Sequence, residues 1–249
     1  ALVKNVNEEN APSLLVGNGQ DQTHLLVVIS SDRGLCGGFN SAIVRDVHAR
    51  IRSLEQQSKN IKLLVVGRKA VVQLRRQYQN YFIDAFEDLC KPVPLFTHGE
   101  QIAEKIQTLF AENQFDVCTV IYNRFVSALT QIVTPLSLIP FKGSIEQDTA
   151  PQDQETNAKG DPLNGAVYQF EPDEHEVLSQ ILPRNISVQL YRSLLESFAS
   201  EQGARMAAMD NATRNAGEMI DRLQITYNRT RQAQITKELI EIISGAEAL

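Results

Sequence analysis

Hydrophobic and polar positions follow two regimes along this chain. Through residue 139, short and nearly continuous apolar runs alternate with stretches of helical period; from residue 186 onward one long helical pattern takes over. The first run, residues 24–29, reads HLLVVI, the pattern of a strand buried on both faces. It breaks into SDRGLCGGFN, and residues 41–57 then place Ile43, Val47, Ile51 and Leu54 at helical spacing, which predicts an amphipathic helix. The unit repeats with a strand at 61–66, a Gly67-Arg68-Lys69 turn, a short helix at 70–78 and a third strand at 81–83. A loop at 92–94 follows, then a helix at 99–113 and a strand at 116–122. Residues 130–139 are β-like but contain Pro135, which places them at a sheet edge. Alternating strands and helices predict right-handed crossovers and a three-layer, Rossmann-like α/β sheet.

Residues 186–243 contain no proline and only two glycines, Gly203 and Gly217, and are rich in good helix formers. As one helix they would extend roughly 87 Å at ~1.5 Å per residue. Heptads with a positions at Val188, Leu195, Gln202, Met209, Ala216, Leu223, Thr230 and Lys237 give d positions at Tyr191, Phe198, Arg205, Ala212, Met219, Thr226, Ala233 and Ile240. Eleven of the sixteen are apolar, the seam of a helix packed along another helix. Nothing else in the chain has the length to be that partner. Pro172 and Pro183 bracket a segment just upstream, and Pro183 is expected to kink the helix or set its start.

The division expected from these patterns is a lead-in at 1–22, an α/β domain at 23–172 with a mobile acidic loop at 143–165, and a long C-terminal helix at 173–249. Residues 166–170 alternate and are expected to add a strand.

Composition narrows the function. The chain has 249 residues, 43% hydrophobic and 22% charged, the profile of a globular protein. No apolar run approaches the ~20 residues that span a bilayer, so membrane association is expected to be indirect. The net charge is −6, and residues 142–176 alone carry nine acidic residues against two lysines. The remainder is close to neutral, which offers no broad basic field for nucleic acid. Cys36, Cys90 and Cys118 are odd in number and lack CxxC spacing, and the four histidines stand singly, so neither zinc nor a disulfide framework is expected.

The glycine turn GLCGG is the one local motif that suggests chemistry, because a strand, glycine loop and helix can cradle a phosphate. It matches neither GxGxxG nor GxxxxGK[ST]. Cys36 at the start of a helix has no evident base, since His48 lies too far along that helix. No catalytic constellation emerges, and no cofactor or metal is expected.

SDRGLCGGFN at 31–40, together with LYRSLLESFASEQGARMAAMDNATRNAGEMIDRLQITYNRTRQAQITKELIEIISGAEAL at 190–249, resembles the gamma subunit of the rotary proton-translocating ATP synthase. The likeness runs from about Asp21 to Leu249 and is highly specific in its ESFASE, ARM and RQA-IT-EL segments. It implies a non-catalytic central stalk whose C-terminal helix forms a left-handed coiled coil with a basic N-terminal helix. That partner helix is expected to lie outside this chain, leaving the a/d stripe partly exposed.

Matched position by position, Asp32, Arg33, Gly34 and Cys36 fall in the family's loop facing the beta subunits. Arg205, Arg231, Gln232, Thr236, Glu238 and Glu241 match residues that contact the alpha/beta ring. Tyr168, Phe170 and Glu171 match the foot near the epsilon subunit and the c-subunit ring. The implied partners are three alpha and three beta subunits, epsilon and the c ring. The implied location is the cytoplasmic face of the bacterial inner membrane or the matrix side of the mitochondrial one. The competing reading is a small α/β enzyme that binds a nucleotide at the GLCGG turn.

Overall fold

The computed structural model describes residues 13–141 and 174–247. Five strands form one sheet in the order β3-β2-β1-β4-β5. β1 (Thr23–Ile29), β2 (Asn60–Val66), β3 (Phe82–Phe86) and β4 (Val117–Phe125) are mutually parallel where they pair. β5 (Gln131–Ile139) returns from a tight hairpin and pairs antiparallel with β4, so the sheet is mixed. Pro135 stands opposite Ile121 on this edge strand, where its missing N–H costs no inner ladder bond.

The apolar runs are buried on both faces, as their near-continuity requires. Leu26, Val28, Leu63 and Val65 pack under α2 (Phe39–Gln56) and α3 (Arg68–Tyr78). Leu25, Val27, Leu64 and Val66 pack under α4 (Phe96–Ala111) and the early part of α5 (Glu174–Glu247). Three layers result, and the long helix supplies half of the third.

The lead-in differs from its expected linker character over the described residues. Leu14 in α1 (Ser13–Val16) packs on the α4/α5 face, Leu15 is buried, and the Leu15 carbonyl accepts from the Phe141 N–H at 2.9 Å. Two apolar residues among polar neighbours suffice to dock a single turn. The expected strand at 166–170 and the acidic loop at 143–165 lie outside the described residues.

α5 runs 74 residues, about 110 Å at the standard rise. It begins upstream of Pro183 and continues through it; Gln107 of α4 donates to the Pro183 carbonyl at 3.3 Å. Its sheet-facing stripe is not the predicted seam. Ile186, Leu190 and Leu194 are buried together with Ser187, Ser193, Ser197, Ser200 and Ala204, while the a positions Val188, Leu195 and Met209 are exposed. Small side chains face the domain because the backbones approach closely there. A Cβ on Gly99 of α4 would sit 3.0 Å from Tyr191 Cβ, and one on Gly203 would sit 3.1 Å from the Ala128 carbonyl oxygen. Counting apolar positions passes over serines, so the heptads do not reveal this stripe. From Met209 to Ala246 every residue is exposed, and the helix stands clear of the other described residues.

Candidate functional site

The residues singled out by sequence fall into two groups, a collar where α5 leaves the domain and a tip near its end. The collar is the loop between β1 and α2. Its base is fixed by a compact polar knot: Ser31 N–H donates to Asn40 Oδ1 at 3.1 Å, and Asn40 Nδ2 donates to Ser31 Oγ at 2.7 Å. Asn40 Nδ2 also reaches Cys36 Sγ at 3.2 Å. Asp32 turns inward, because its Oδ1 accepts from the Arg68 and Asp88 backbone N–H groups at 3.0 and 3.1 Å. That one oxygen ties the collar to the turns after β2 and β3.

Asp88 is held below the ordinary carboxylate range, chiefly by its hydrogen bond with Lys91 against an opposing burial effect, with Arg68, Lys91 and Arg33 charges adding. Cys36 is 2% exposed, and its thiol points into the knot. The loop presents Arg33 and Leu35 outward instead. Leu35, 74% exposed at a φ of +64°, is absent from the motif reading, although an apolar residue inside a glycine-rich turn is a visible signal. Leu129, 81% exposed in the β4–β5 hairpin, is absent from it likewise.

Arg205 closes the collar. Its guanidinium donates to the Gly34 carbonyl at 3.4 Å and to Gln202 Oε1 at 3.0 Å, and it pairs with the Glu201 carboxylate. The arginine placed at a d position thus holds the shaft helix to the loop rather than filling a helix–helix seam.

The GLCGG turn is part of the same collar and does not form a phosphate cradle. α5 lies across the N-terminus of α2: a Cβ on Gly37 would be 3.8 Å from Ala208 Cβ, and Ala204 and Ala207 line the same hollow. The α5 side of that hollow offers methyl groups and no cationic side chain to an anion. Gly37 takes a φ of +55°, a left-handed conformation that favours glycine.

The tip lies about 40 Å up the shaft from Arg205, at ~1.5 Å per residue. Arg231, Gln232, Thr236, Glu238 and Glu241 are all exposed. Their bonds stay on the helix: Gln234 Nε2 donates to Glu238 Oε1 at 2.9 Å, Lys237 Nζ lies 3.8 Å from Glu241 Oε1, and Thr236 Oγ1 donates to the Gln232 carbonyl at 2.9 Å. Ile235, Leu239, Ile240, Ile242 and Ile243 are exposed between them. Large apolar side chains so displayed along a bare helix mark a contact surface. Tyr168, Phe170 and Glu171 lie outside the described residues.

A family model described as ATP synthase matches residues 1–249. The ATP synthase gamma chain of Paramagnetospirillum magneticum is 54% identical over 242 residues, covering 97% of this chain and 79% of that protein. The chain belongs to the ATP synthase gamma-chain family. The gamma chain of Rhodospirillum rubrum is 48% identical, covering 96% of this chain and 78% of that protein. Among solved structures, a central stalk/c-ring structure of the Tetrahymena thermophila mitochondrial ATP synthase aligns at TM-score 0.59 and 28% identity, over 80% of each chain. A Euglena gracilis mitochondrial ATP synthase structure shares the fold at TM-score 0.66 and 23% identity, over 95% of this chain and 78% of that one. The family is that of the sequence resemblance, and the nucleotide-enzyme reading finds no support beside it. Members are subunits of a membrane-associated complex, and among the described residues no helix is long and apolar enough to cross a membrane.

Proposed function

We propose that this chain is the non-catalytic rotor of an ATP synthase, turning as a shaft inside a ring of three alpha and three beta subunits. The observation that carries this reading is the division of α5 into an anchored half and a bare half. A helix docked by sheet, α4 and collar moves with the domain as one body. Its bare half offers a different set of side chains in each direction. Three chemically identical beta subunits differ only if something asymmetric biases them, and a differential contact of ~1.4 kcal/mol shifts a conformational equilibrium tenfold. Rotation carries each beta subunit through that bias in turn.

In this reading Arg231, Gln232, Thr236, Glu238 and Glu241 bear on the ring at the tip. Arg33 and Leu35 meet the beta subunits at the collar, with Asp32, Gly34 and Cys36 shaping the loop from within. The epsilon subunit and the c ring engage the foot around Tyr168, Phe170 and Glu171. The bacterial gamma chains it matches favour the cytoplasmic face of a bacterial inner membrane, reached through the c ring. Rotation of a bead fixed to the domain, driven by ATP in a complex reconstituted with this chain, tests the proposal. A static bead in a complex that hydrolyses ATP at the normal rate would overturn it.

A further inference from the structure

The outer layer formed by α2 and α3 is strongly basic. The two helices pack side by side and carry seven arginines and lysines against two carboxylates, Asp46 and Glu55. Little of that charge is answered locally. Arg50 pairs with Asp46 at 2.6 Å, Arg68 pairs with Glu87 at 3.2 Å and with Asp88, and the Glu55 carboxylate accepts from the Tyr81 hydroxyl at 2.8 Å. Arg45, Arg52, Arg75 and Arg76 are exposed and make no ion pair among the described residues, Arg75 resting on the Phe82 ring instead. The opposite layer lacks this bias, since α4 carries Glu100 and Glu104 against Lys105.

A matching charge stands in the same chain. Residues 143–165 hold Glu146, Asp148, Asp153, Glu155 and Asp161 against Lys159 alone. The topology brings the start of that segment to this layer. β5 ends beside the start of β4, with Ile139 opposite Cys118. α2 ends just before β2 begins at Asn60, which pairs with Thr23 at the start of β1. The exit of β5 and the Arg52 end of α2 therefore lie at one end of the sheet, and α2 packs on β4 and β5. From Phe141 to Asp148 an extended chain spans up to about 25 Å, enough to round the β5 edge. A segment tethered at both ends also meets this face at an effective concentration that a free acidic partner does not match.

We propose that the outer face of α2 and α3 docks residues 143–165 of the same chain, their carboxylates against Arg45, Arg52, Arg75 and Arg76. The attraction is electrostatic, because Ile145 and Leu163 are the only large apolar residues of the segment. The segment thereby competes with any other acidic polypeptide for this face. The docking needs nothing from the rotor reading.

The test is cross-linking of the full chain. Arg52→Lys and Arg76→Lys each put an amine on this face with the charge kept, and a zero-length carbodiimide joins it to any carboxylate in contact. Mass spectrometry should find both lysines linked to the acids of 143–165 within one chain. The links should be lost at about 1 M salt, where screening shortens to ~3 Å. They should be lost equally after Arg45→Glu with Arg75→Glu, or when the five acids are made amides, with circular dichroism unchanged. No link to either lysine, links that persist at high salt, links as frequent to Lys105 on the opposite layer, or links only between differently isotope-labelled chains would overturn the docking. The rotation assay would stand in each of these cases.

Discussion

The Arg205 guanidinium donates to the backbone carbonyl of Gly34, 171 residues earlier in the chain, and so fastens the shaft helix to the glycine loop at the point where the helix leaves the domain. The same side chain is paired with Glu201, and both are largely shielded from solvent. Arg205→Ala should therefore lower the stability of the chain by about 1–2 kcal/mol and reduce coupled ATP synthesis in the assembled complex. Arg205→Lys should restore only part of either, because an ammonium cannot reproduce the guanidinium fork. Urea unfolding and synthesis by inverted vesicles measure the two effects.

Gln232 presents the opposite case. It is exposed, and its side chain bonds to nothing within the described residues. Gln232→Ala should leave the unfolding free energy within about 0.5 kcal/mol of the parent. Coupled synthesis should nevertheless fall, because the lost contacts are with the surrounding ring. Unchanged synthesis in vesicles would remove this residue from the tip contacts.

The purified chain should neither hydrolyse ATP nor bind ATP, ADP or NAD. Calorimetry checks this directly. The hollow before α2 is walled on the α5 side by Ala204, Ala207 and Ala208, whose methyl groups offer a phosphate no hydrogen-bond donor.

Glycines on either side of the collar should respond with opposite signs. At Gly99 an added methyl meets Tyr191 Cβ at 3.0 Å and the Ser187 carbonyl oxygen at 3.1 Å, so Gly99→Ala should destabilise by about 1–3 kcal/mol. At Gly217 an added methyl meets nothing within 4 Å on the bare shaft. Gly217→Ala should raise the helicity and stability of the isolated chain by roughly 0.5–1 kcal/mol. Thermal unfolding followed by circular dichroism separates the two.

Asp116 anchors the start of β1, accepting from Asn18 Nδ2 and from the Gln22 and Thr23 N–H groups at 2.5, 2.9 and 2.7 Å. Burial pushes its pKa up, but these three hydrogen bonds and nearby His24 outweigh burial and hold it below the usual value. A carboxyl depressed in the folded state contributes stability above its unfolded pKa of about 3.9 and loses it as pH falls through the folded value. Asp116→Asn should thus cost stability at neutral pH and flatten the loss on acidification below about pH 4. Parallel pH profiles that differ only by a constant offset would refute the linkage.

Cys90 should be slow to alkylate at neutral pH. Burial first, then the charges of Asp32 and Glu201, push its thiol up to about 11, and only the thiolate reacts. Maleimide labelling against pH should show its onset well above that of an ordinary thiol.

By itself the sequence determined the layered α/β plan, the long terminal helix and the family. Apolar runs such as residues 24–29 and the helical period of 41–57 are local records of burial, and an unbroken stretch of helix formers extends itself. The edge position of β5 was legible too, because Pro135 removes a donor wherever it stands. Only the tertiary structure decided which side of the helix meets the domain. Periodicity shows that a helix has faces but not what lies opposite each: Val188 and Leu195 of the heptad seam are exposed, as expected for a partner helix outside this chain, while the sheet meets a second stripe. Ser193 and Ser200 became core residues only once the helix was laid against the sheet and its neighbours. Asp32, Cys36 and Arg205 likewise took inward roles, because their partners at Arg68, Asp88, Asn40 and Gly34 are set by the fold in three dimensions.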